Sequence, residues 1–363
     1  MADTSSEIAV VGAGIVGLSV THALRERGVD VACLDHAEPG QGQSAGPGRI
    51  FRHFLATPEL AALAIEARTA WDAWSQRAGE PLLANDGWLR LGGDRQADLA
   101  FLHDAGIPAT ELEPDDAVAR MPVMTRPDGP VLFDPLGGVV RADATIAALA
   151  RWVAPAVRYA RVERVDADGA SAALRTSEGA HACAHCLICA GPGTDRLAAT
   201  AGLQVVQRRR AHLRLTFRRR TGIGATLPSW SDRSGRHGEL AYGMPTDGET
   251  YGVGITEPDA YPEGAPETEA VAPDADLSDA RRRIVAYVRS AFAGLDPEPV
   301  GEVLRLTTRL DGRVEDAFAL TQDGPVAAFA GGNLFKFAPV LGMRLAGALL
   351  DGGEVWPGGR VAV

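Results

Sequence analysis

The sequence predicts an α/β fold made of two intertwined domains, and three observations support this prediction. The chain has 363 residues, more than one compact core usually holds. Short β-branched runs alternate along it with segments of helical spacing, as in α/β proteins. The amino-terminal 35 residues carry a strand, a glycine-rich turn, a helix and a second strand in close succession.

The amino-terminal unit runs from Ile8 to Asp35. Ile8 to Val11 predicts a core strand, the glycine turn follows, Gly28 ends the helix, and Val29 to Leu34 predicts the next strand. This order, with an acid about 20 residues beyond the glycines, is typical of a dinucleotide-binding unit. The alternative is a structural glycine turn, and the unit alone leaves the choice between NAD and FAD open.

The glycines have separate expected roles. We expect Gly12 to permit the tight turn, Gly14 to let the backbone approach a pyrophosphate, and Gly17 to let helix and strand pack closely. The phosphates would lie on free N–H groups at the positive end of the helix dipole. The Asp35 carboxylate can accept hydrogen bonds from a ribose diol.

The rest of the chain alternates predicted helices and strands. Predicted helices start at Thr57, Asp94, Ala142, Asp195, Ser278 (as the cap) and Val340. Predicted strands occupy residues 87–91, 131–140, 157–165, 172–174, 181–188, 213–217, parts of 230–256, 303–310 and 326–330. Residues 257–279 are rich in Pro, Glu and Asp and predict a mobile acidic loop.

Composition excludes several classes of partner. The net charge of -11 argues against nucleic acid, which needs a basic face. No apolar run approaches the roughly 20 residues of a membrane span, so no membrane partner is expected. The first seven residues, MADTSSE, do not resemble a signal peptide, so we expect a cytoplasmic protein.

Three of the four cysteines, Cys183, Cys186 and Cys189, form a C-x2-C-x2-C pattern. A structural zinc site usually needs a second pair of ligands at a distance, and no cysteine follows Cys189. We therefore interpret them as buried thiols of a strand and predict no metal.

Lysine usage singles out one residue. Of the 36 basic residues, Lys336 is the only lysine, which leaves 35 arginines. It follows a glycine-led turn between a strand and the last helix, which is the topology of a second phosphate or ring site.

Four separated segments resemble one family, with YGMP at 242–245 as a weaker fifth. The segments are VVGAGIVGLS with Asp35, GRIFRH at 48–53, CAGPGTDRL at 189–197 and GGNLFKFAP at 331–339. They are similar to the amine-oxidising flavoproteins of the D-amino-acid oxidase superfamily, most closely to its monomeric sarcosine oxidase and N-methyltryptophan oxidase branch. The resemblance implies FAD, a monomer, a discontinuous doubly wound Rossmann-like FAD domain, and an antiparallel-sheet substrate domain over the flavin. The expected boundaries are 1–85, 140–206 and 316–363 for the FAD domain and 86–139 and 207–315 for the substrate domain.

The resemblance also implies residue roles. Arg49 would lie by the flavin ring, Arg52 and Lys336 would bind the carboxylate of a small amine substrate, and Tyr242 would line the pocket; these four are the expected catalytic residues. The expected cofactor-binding residues are Gly12, Ala13, Gly14, Ile15, Val16, Gly17, Asp35, His36, Ser44, Arg49, Val162, Ala190, Gly191, Gly332, Asn333, Leu334, Phe335 and Lys336.

Two departures from the branch affect the expected chemistry. The branch often tethers its flavin to a cysteine in the strand at 303–310, where this chain has none, so we expect FAD to bind non-covalently. The branch also places a lysine over the flavin to assist the reaction with oxygen, and Tyr251 to Gly254 contains no lysine.

The expected reaction is oxidation of the amine carbon of an amino, N-alkyl amino or cyclic imino acid to an imine. Hydride passes to flavin N5, and oxygen is the expected acceptor. The alternatives are an amino-acid dehydrogenase that passes electrons to a partner and a flavin-binding protein without turnover.

Overall fold

The computed structural model describes residues 4–220, 222–224, 226–235, 240–256, 277–352, 355 and 361–362. Most of the acidic segment predicted as a loop, residues 257–276, lies outside this part of the chain.

The helices fall in or near the segments where the sequence predicts them, with one short addition. They are α1 (Ile15–Glu26), α2 (Pro58–Ala78), α3 (Arg95–Asp104), α4 (Pro114–Arg120), α5 (Ala142–Val153), α6 (Thr194–Thr200), α7 (Ser278–Ala291) and α8 (Ala338–Asp351). Thr57 caps α2 as predicted, since its Oγ1 accepts a hydrogen bond from the Leu60 amide at 3.3 Å. The prediction that Ser278 caps α7 is wrong, because the helix already includes Ser278 and its N-cap position is Leu277. The additional helix is α4.

Twenty strands are assigned within the described residues. They are β1 (Thr4–Val11), β2 (Val31–Asp35), β3 (Gly48–Phe51), β4 (Leu83–Ala84), β5 (Trp88–Leu91), β6 (Thr110–Leu112), β7 (Val131–Asp134), β8 (Gly138–Arg141), β9 (Val157–Tyr159), β10 (Val162–Asp168), β11 (Ser171–Thr176), β12 (Gly179–Ile188), β13 (Gln207–Arg219), β14 (Ser229–Asp232), β15 (Ala241–Pro245), β16 (Thr250–Ile255), β17 (Leu295–Leu310), β18 (Phe318–Asp323), β19 (Val326–Gly331) and β20 (Val361–Ala362).

The first sheet is the predicted doubly wound sheet. Its central strands β19, β12, β1, β2 and β9 pair in that order and run parallel, with β18 and β20 added antiparallel at one edge. Strands β10 and β11 form an antiparallel meander with β12, which also pairs in parallel with β1. Because the carboxyl ends of parallel strands meet at one edge, β1, β2, β12 and β19 deliver their following turns to the same place.

The second sheet has eight strands in the order β17-β13-β16-β15-β14-β5-β7-β6. All of its pairs are antiparallel except β14 with β5. Strands β3, β8 and β4 form a small third sheet, and β3 also contacts β15 of the second sheet.

Apolar packing fixes these sheets in layers. One buried cluster joins the first sheet to α1, α2, α5 and α8, and another covers its opposite face with α6 and the meander. A third cluster packs α7 on the outer face of the second sheet, which leaves the other face of that sheet toward the first. Within the described residues, no helix is long and apolar enough to cross a membrane.

Candidate active site

A cavity of about 790 Å³ lies between the carboxyl ends of the parallel strands and the inner face of the second sheet. Both the predicted cofactor residues and the predicted substrate residues line it. The exceptions are Ala13, Gly17 and Gly332, which lie behind its surface.

The glycine turn after β1 is shaped for close approach. Gly12 has a φ of 108°, and a Cβ there would come within 2.6 Å of the Cys189 carbonyl oxygen. A Cβ on Gly17 would overlap the carbonyl oxygen of Gly12, so the first turn of α1 can pack on β1 only with glycine at this position. Gly14 is the N-cap of α1 and carries no side-chain cap of its own.

The residues at the start of α1 and the end of β2 are joined by hydrogen bonds. The Asp35 carboxylate accepts from the Ala13 amide at 2.7 Å and from the Ala37 amide at 3.1 Å. The Ser44 hydroxyl accepts from the Ile15 amide at 2.9 Å, on the first turn of α1. His36, beside Asp35, and Val16 also line the cavity. These contacts orient the acid and the helix terminus toward one space.

Val162 and the turn after β12 close the same end of the cavity. Val162 is buried at the start of β10. Ala190 and Gly191 follow β12, and Gly191 has a φ of 57°, which favours glycine. Cys183, Cys186 and Cys189 are free and buried in or just after β12, as predicted.

Arg49 fixes the loop that covers the glycine turn. Its guanidinium donates to the carbonyl oxygens of Gly48, Gln43 and Ala45 at 2.9, 2.7 and 2.8 Å. It also lies 5.3 Å from the centre of the Phe335 ring. Arg49 therefore connects the loop before β3 to the turn that carries Lys336.

The structure brings Arg52 and Lys336 together and adds an acid that the sequence analysis missed. Lys336 Nζ donates to Asp316 Oδ1 at 2.6 Å, and the other oxygen of Asp316 lies 3.7 Å from Arg52 Nη2. The side chains of Lys336 and Asp316 are 4% and 3% exposed. Two cations therefore share one internal carboxylate, and these three groups together keep one net positive charge. Glu315, the residue before Asp316, also lines the cavity and attracts Lys336 more weakly than Asp316 does.

Burial and pairing act against each other in this cluster. Burial lowers the pKa of Lys336, and the attraction of Asp316 opposes that shift. Burial also acts to raise the pKa of Asp316, but the charges of Lys336 and Arg52 outweigh it and hold that pKa below its usual range. The 2.6 Å contact favours the ion-paired form, with the proton on Nζ.

The turn that presents Lys336 is held from several sides. Leu334–Phe337 forms a single 3₁₀ turn after Asn333, whose φ of 52° is in the left-handed region. The Asn333 carbonyl accepts from Lys336 Nζ at 3.2 Å, and the buried Trp71 Nε1 donates to the Lys336 carbonyl at 2.9 Å. Gly332 packs so closely that a Cβ would come within 2.6 Å of the Glu315 carbonyl oxygen.

The second sheet covers the end of the cavity where the predicted substrate residues lie. Tyr242 on β15 is registered with Gly254 on β16, and its ring occupies the space that a side chain at 254 would fill. Gly252 is registered with Met244, which also lines the cavity. Val253 points the other way, into the apolar cluster under α7.

Sequence reasoning missed further polar residues at the site, namely Asp316, Gln43, Thr308 and Arg214. Asp316 lies in a chain with 47 acidic residues and no local pattern marks it. The side chain of Gln43 donates to the Leu306 carbonyl at 3.0 Å and accepts from the Thr308 hydroxyl at 3.3 Å. Gln43 and Thr308 both line the cavity, but the hydrogen bond between them joins segments more than 260 residues apart.

The residues present fit FAD. The turn at Gly12 and the N-terminus of α1 provide space and amides for a pyrophosphate, and Asp35 lies at the end of β2 for a ribose. The cavity volume of about 790 Å³ lies within the roughly 300–1,000 Å³ of ligand pockets.

Comparison with known proteins agrees with this fit. Residues 7–348 match the family model described as FAD dependent oxidoreductase. An N-methyl-L-tryptophan oxidase from Yersinia pestis is 24% identical over 214 residues, which cover 56% of this chain and 58% of that protein. The chain thus spans less than two thirds of the length of this relative.

Two solved structures have the same fold. NikD, an unusual amino acid oxidase essential for nikkomycin biosynthesis, aligns with a TM-score of 0.84 at 21% identity, over 99% of this chain and 98% of NikD. L-proline dehydrogenase from P. horikoshii aligns with a TM-score of 0.82 at 17% identity, over 98% of this chain and 96% of that one. The family match and the N-methyl-L-tryptophan oxidase relative confirm the resemblance drawn from the four sequence segments. The chain therefore belongs to the family of FAD-dependent oxidoreductases.

Proposed function

We propose that this protein oxidises the amine carbon of a small, carboxylate-bearing amine to an imine, with non-covalently bound FAD. One observation carries the proposal: the glycine turn of β1 and the Arg52–Lys336 cluster line the same cavity. Bound FAD supplies the acceptor, at its N5, for the hydride that leaves the amine carbon.

The ADP half would lie against the glycine turn. In this proposal the remaining amides at the start of α1 bind the pyrophosphate, Asp35 binds the ribose and the Val162 backbone meets the adenine. His36, Ser44, Ala190 and Gly191 complete this end. Arg49 and residues 332–336 hold the flavin end.

Charge favours a carboxylate at the other end. Arg52 and Lys336 bring two positive charges and Asp316 brings one negative charge, so one substrate carboxylate makes the cluster neutral. A fixed carboxylate orients the adjacent amine carbon, and the proximity of cations favours the neutral amine over the ammonium form. The neutral amine is the form whose carbon can release a hydride. Tyr242 and the second sheet exclude water from this end.

The electron acceptor separates two versions of the proposal. Oxygen is the acceptor in the first, and a partner protein or dye accepts the electrons in the second. The absence of lysine between Tyr251 and Gly254 favours the second version. The third alternative, a flavin-binding protein without turnover, gives no role to the buried Arg52–Lys336 cluster.

The test is an anaerobic screen of the purified yellow protein against amino and imino acids. We expect at least one of them to bleach the flavin absorbance, and readmitted air then measures the rate of reoxidation. Bleaching without reoxidation identifies the dehydrogenase. A flavin that no carboxylate-bearing amine reduces would contradict the proposal.

A further inference from the structure

Besides Lys336, the cavity has a second buried cation, Arg214, and the proposed reaction gives it no role. It lies on β13, on the same face of the second sheet as Tyr242, and lines the cavity. The residue is 7% exposed. Its register partners on the two neighbouring strands, Gly254 and Val303, are uncharged.

The contacts of Arg214 do not balance its charge. Its Nη1 lies 3.7 Å from the Met244 sulfur, a weak acceptor. Within the ranges that the structure describes, no carboxylate forms an ion pair with it. A buried guanidinium without a counter-charge is costly, so such a group usually has an anion nearby.

Another arginine in the same row of the sheet shows the contrast. Register pairing between adjacent strands places five residues in one row across the sheet: Arg214, Gly254, Tyr242, Ser231 and Arg90. Arg90 is also 7% exposed, but its Nε lies 2.6 Å from Asp98. The row therefore contains one buried arginine paired inside the protein and one that faces the cavity.

The space beside Arg214 is the cavity itself, because Arg214, Tyr242 and Met244 all line it. Gly252 and Gly254 bear no side chains, so Arg214 and Tyr242 can lie over them, and a Cβ at 252 would come within 3.1 Å of Arg214 Cδ. The Met244 sulfur is also 3.3 Å from the position of a Cβ on Gly48, at the start of the strand that leads to Arg49 and Arg52. Arg214 thus faces the same space as the Arg52–Lys336 cluster from the opposite sheet.

We propose that Arg214 binds a second carboxylate of the substrate, so that the enzyme acts on amino dicarboxylates. This inference rests on the proposed function, because the first carboxylate is the one that Arg52 and Lys336 bind. The first cluster carries one net positive charge and Arg214 adds another, which matches a dianion.

The experiment measures binding of non-oxidisable acids to the holoenzyme through the change in flavin absorbance. Succinate is compared with butyrate, and glutarate with pentanoate, so that each pair has the same length and differs by one charge. We expect at least one dicarboxylate to bind about 10–100-fold more tightly than its partner, the effect of one charge-assisted hydrogen bond. Equal or weaker binding of both dicarboxylates would overturn the proposal.

Variants then assign the preference to Arg214. In Arg214→Met, the dicarboxylate and the monocarboxylate of each pair should bind about equally tightly. Arg214→Lys should keep part of the preference for the dicarboxylate. Arg218→Met is the matched control, since it removes the same charge from the same strand at an exposed position. If Arg214→Met weakens mono- and dicarboxylates equally, or releases FAD, Arg214 serves the cofactor and the proposal is wrong. The wild-type and Arg214→Lys comparisons decide the question if Arg214→Met does not fold.

A second readout separates this inference from the proposed function. Anaerobic bleaching by glutamate is compared with that by glutamine, and aspartate with asparagine. Bleaching by the amides as fast as by the acids refutes the role of Arg214 but leaves amine oxidation intact. If no amine bleaches the flavin while dicarboxylates still bind selectively, the proposed reaction fails and the anion site stands.

Discussion

Lys336 shares its ammonium group between Asp316 and the Asn333 carbonyl, so its removal changes the charge of the whole cluster. In Lys336→Met, Arg52 and Asp316 cancel and no net charge remains for a substrate carboxylate. We expect binding of a carboxylate-bearing substrate to weaken about 10–100-fold, as for the loss of one charge-assisted hydrogen bond. Anaerobic titration of flavin reduction measures this affinity.

The double variant provides the control for that experiment. Lys336→Met with Asp316→Asn restores the net charge of Arg52, so it should bind the substrate more tightly than Lys336→Met alone. FAD content should be the same in both. A double variant as weak as the single one would show that Lys336 acts by shape or position and not by charge.

Within residues 251–254, Gly252 is a position at which a lysine can point to the side of the cavity, since Val253 points into the core. A Cβ at 252 would come within 3.1 Å of Arg214 Cδ and of Thr246 Cγ2, so these two side chains must move slightly to admit the lysine. We expect Gly252→Lys to raise the rate at which oxygen reoxidises the reduced flavin, because a cation beside the flavin stabilises developing negative charge. Stopped-flow mixing with air measures this rate, and Val253→Lys should instead lower stability. An unchanged rate in a folded Gly252→Lys protein would contradict the prediction.

At the scale of residues, the sequence identified those that are rare in this chain or belong to a recognisable motif. Lys336 is visible because it is the only lysine, and Arg52 because it belongs to GRIFRH. Asp316 and Arg214 are not visible, since acids and arginines are common in this chain. Asp316 matters because it is buried against Lys336 and Arg52, and Arg214 because it is buried at the cavity wall. Both positions depend on the pairing of distant strands.

Helix α1 carries a histidine that should make stability depend on pH. His22 lies in the apolar cluster, with its ring 5.0 Å from that of Trp152, and burial lowers its pKa from the ordinary 6.5. The unfolded chain therefore takes up a proton first, and the free energy of unfolding falls as the pH drops below about 6.5.

His22→Phe should reduce this loss, because phenylalanine takes up no proton. Urea unfolding at pH 7.5 and pH 5.5 measures the free energy of unfolding that wild type and His22→Phe each lose between the two pH values. A part of the loss should remain in the variant, since burial also lowers the pKa of His181. An equal loss of unfolding free energy in wild type and His22→Phe would show that His22 does not contribute to the pH dependence.

At the scale of elements, local patterns were reliable and long-range pairings were not. The strand, glycine turn, helix and acid of β1, α1 and β2 lie within 35 residues, and each step has its own sequence signal. The sequence did not predict β18, or that β12 pairs in parallel with β1 as well as with the meander. Strand β18 pairs with its neighbour in the chain, β19, but its own sequence carries no clear strand pattern. The pairing of β1 with β12 joins residues as distant as Thr4 and His181, and nothing in either strand alone specifies the partner.

For the molecule as a whole, the absence of cysteine after Cys189 predicts a releasable cofactor. Cys189 lies at the glycine turn, and burial raises the pKa of its thiol, which keeps it protonated. Acid precipitation should therefore leave FAD in the supernatant. Yellow colour that stays with the pellet would instead indicate a covalent bond.

The predicted domain boundaries remain a prediction at this scale, although the two sheets that they separate are present. The FAD-binding sheet gathers strands from three separate parts of the chain, and the cavity forms where the second sheet closes over it. The proposed cofactor and substrate sites are therefore two ends of one space, and we expect the reaction to require both.

The most direct test of that claim is anaerobic flavin reduction by an amino acid and by the same amine without its carboxylate. We expect the amino acid to reduce the flavin with an apparent Kd about 10–100-fold lower, because only the amino acid carries a carboxylate for the Arg52–Lys336 cluster. Equal affinities for the two amines, or a flavin that neither of them reduces, would contradict it.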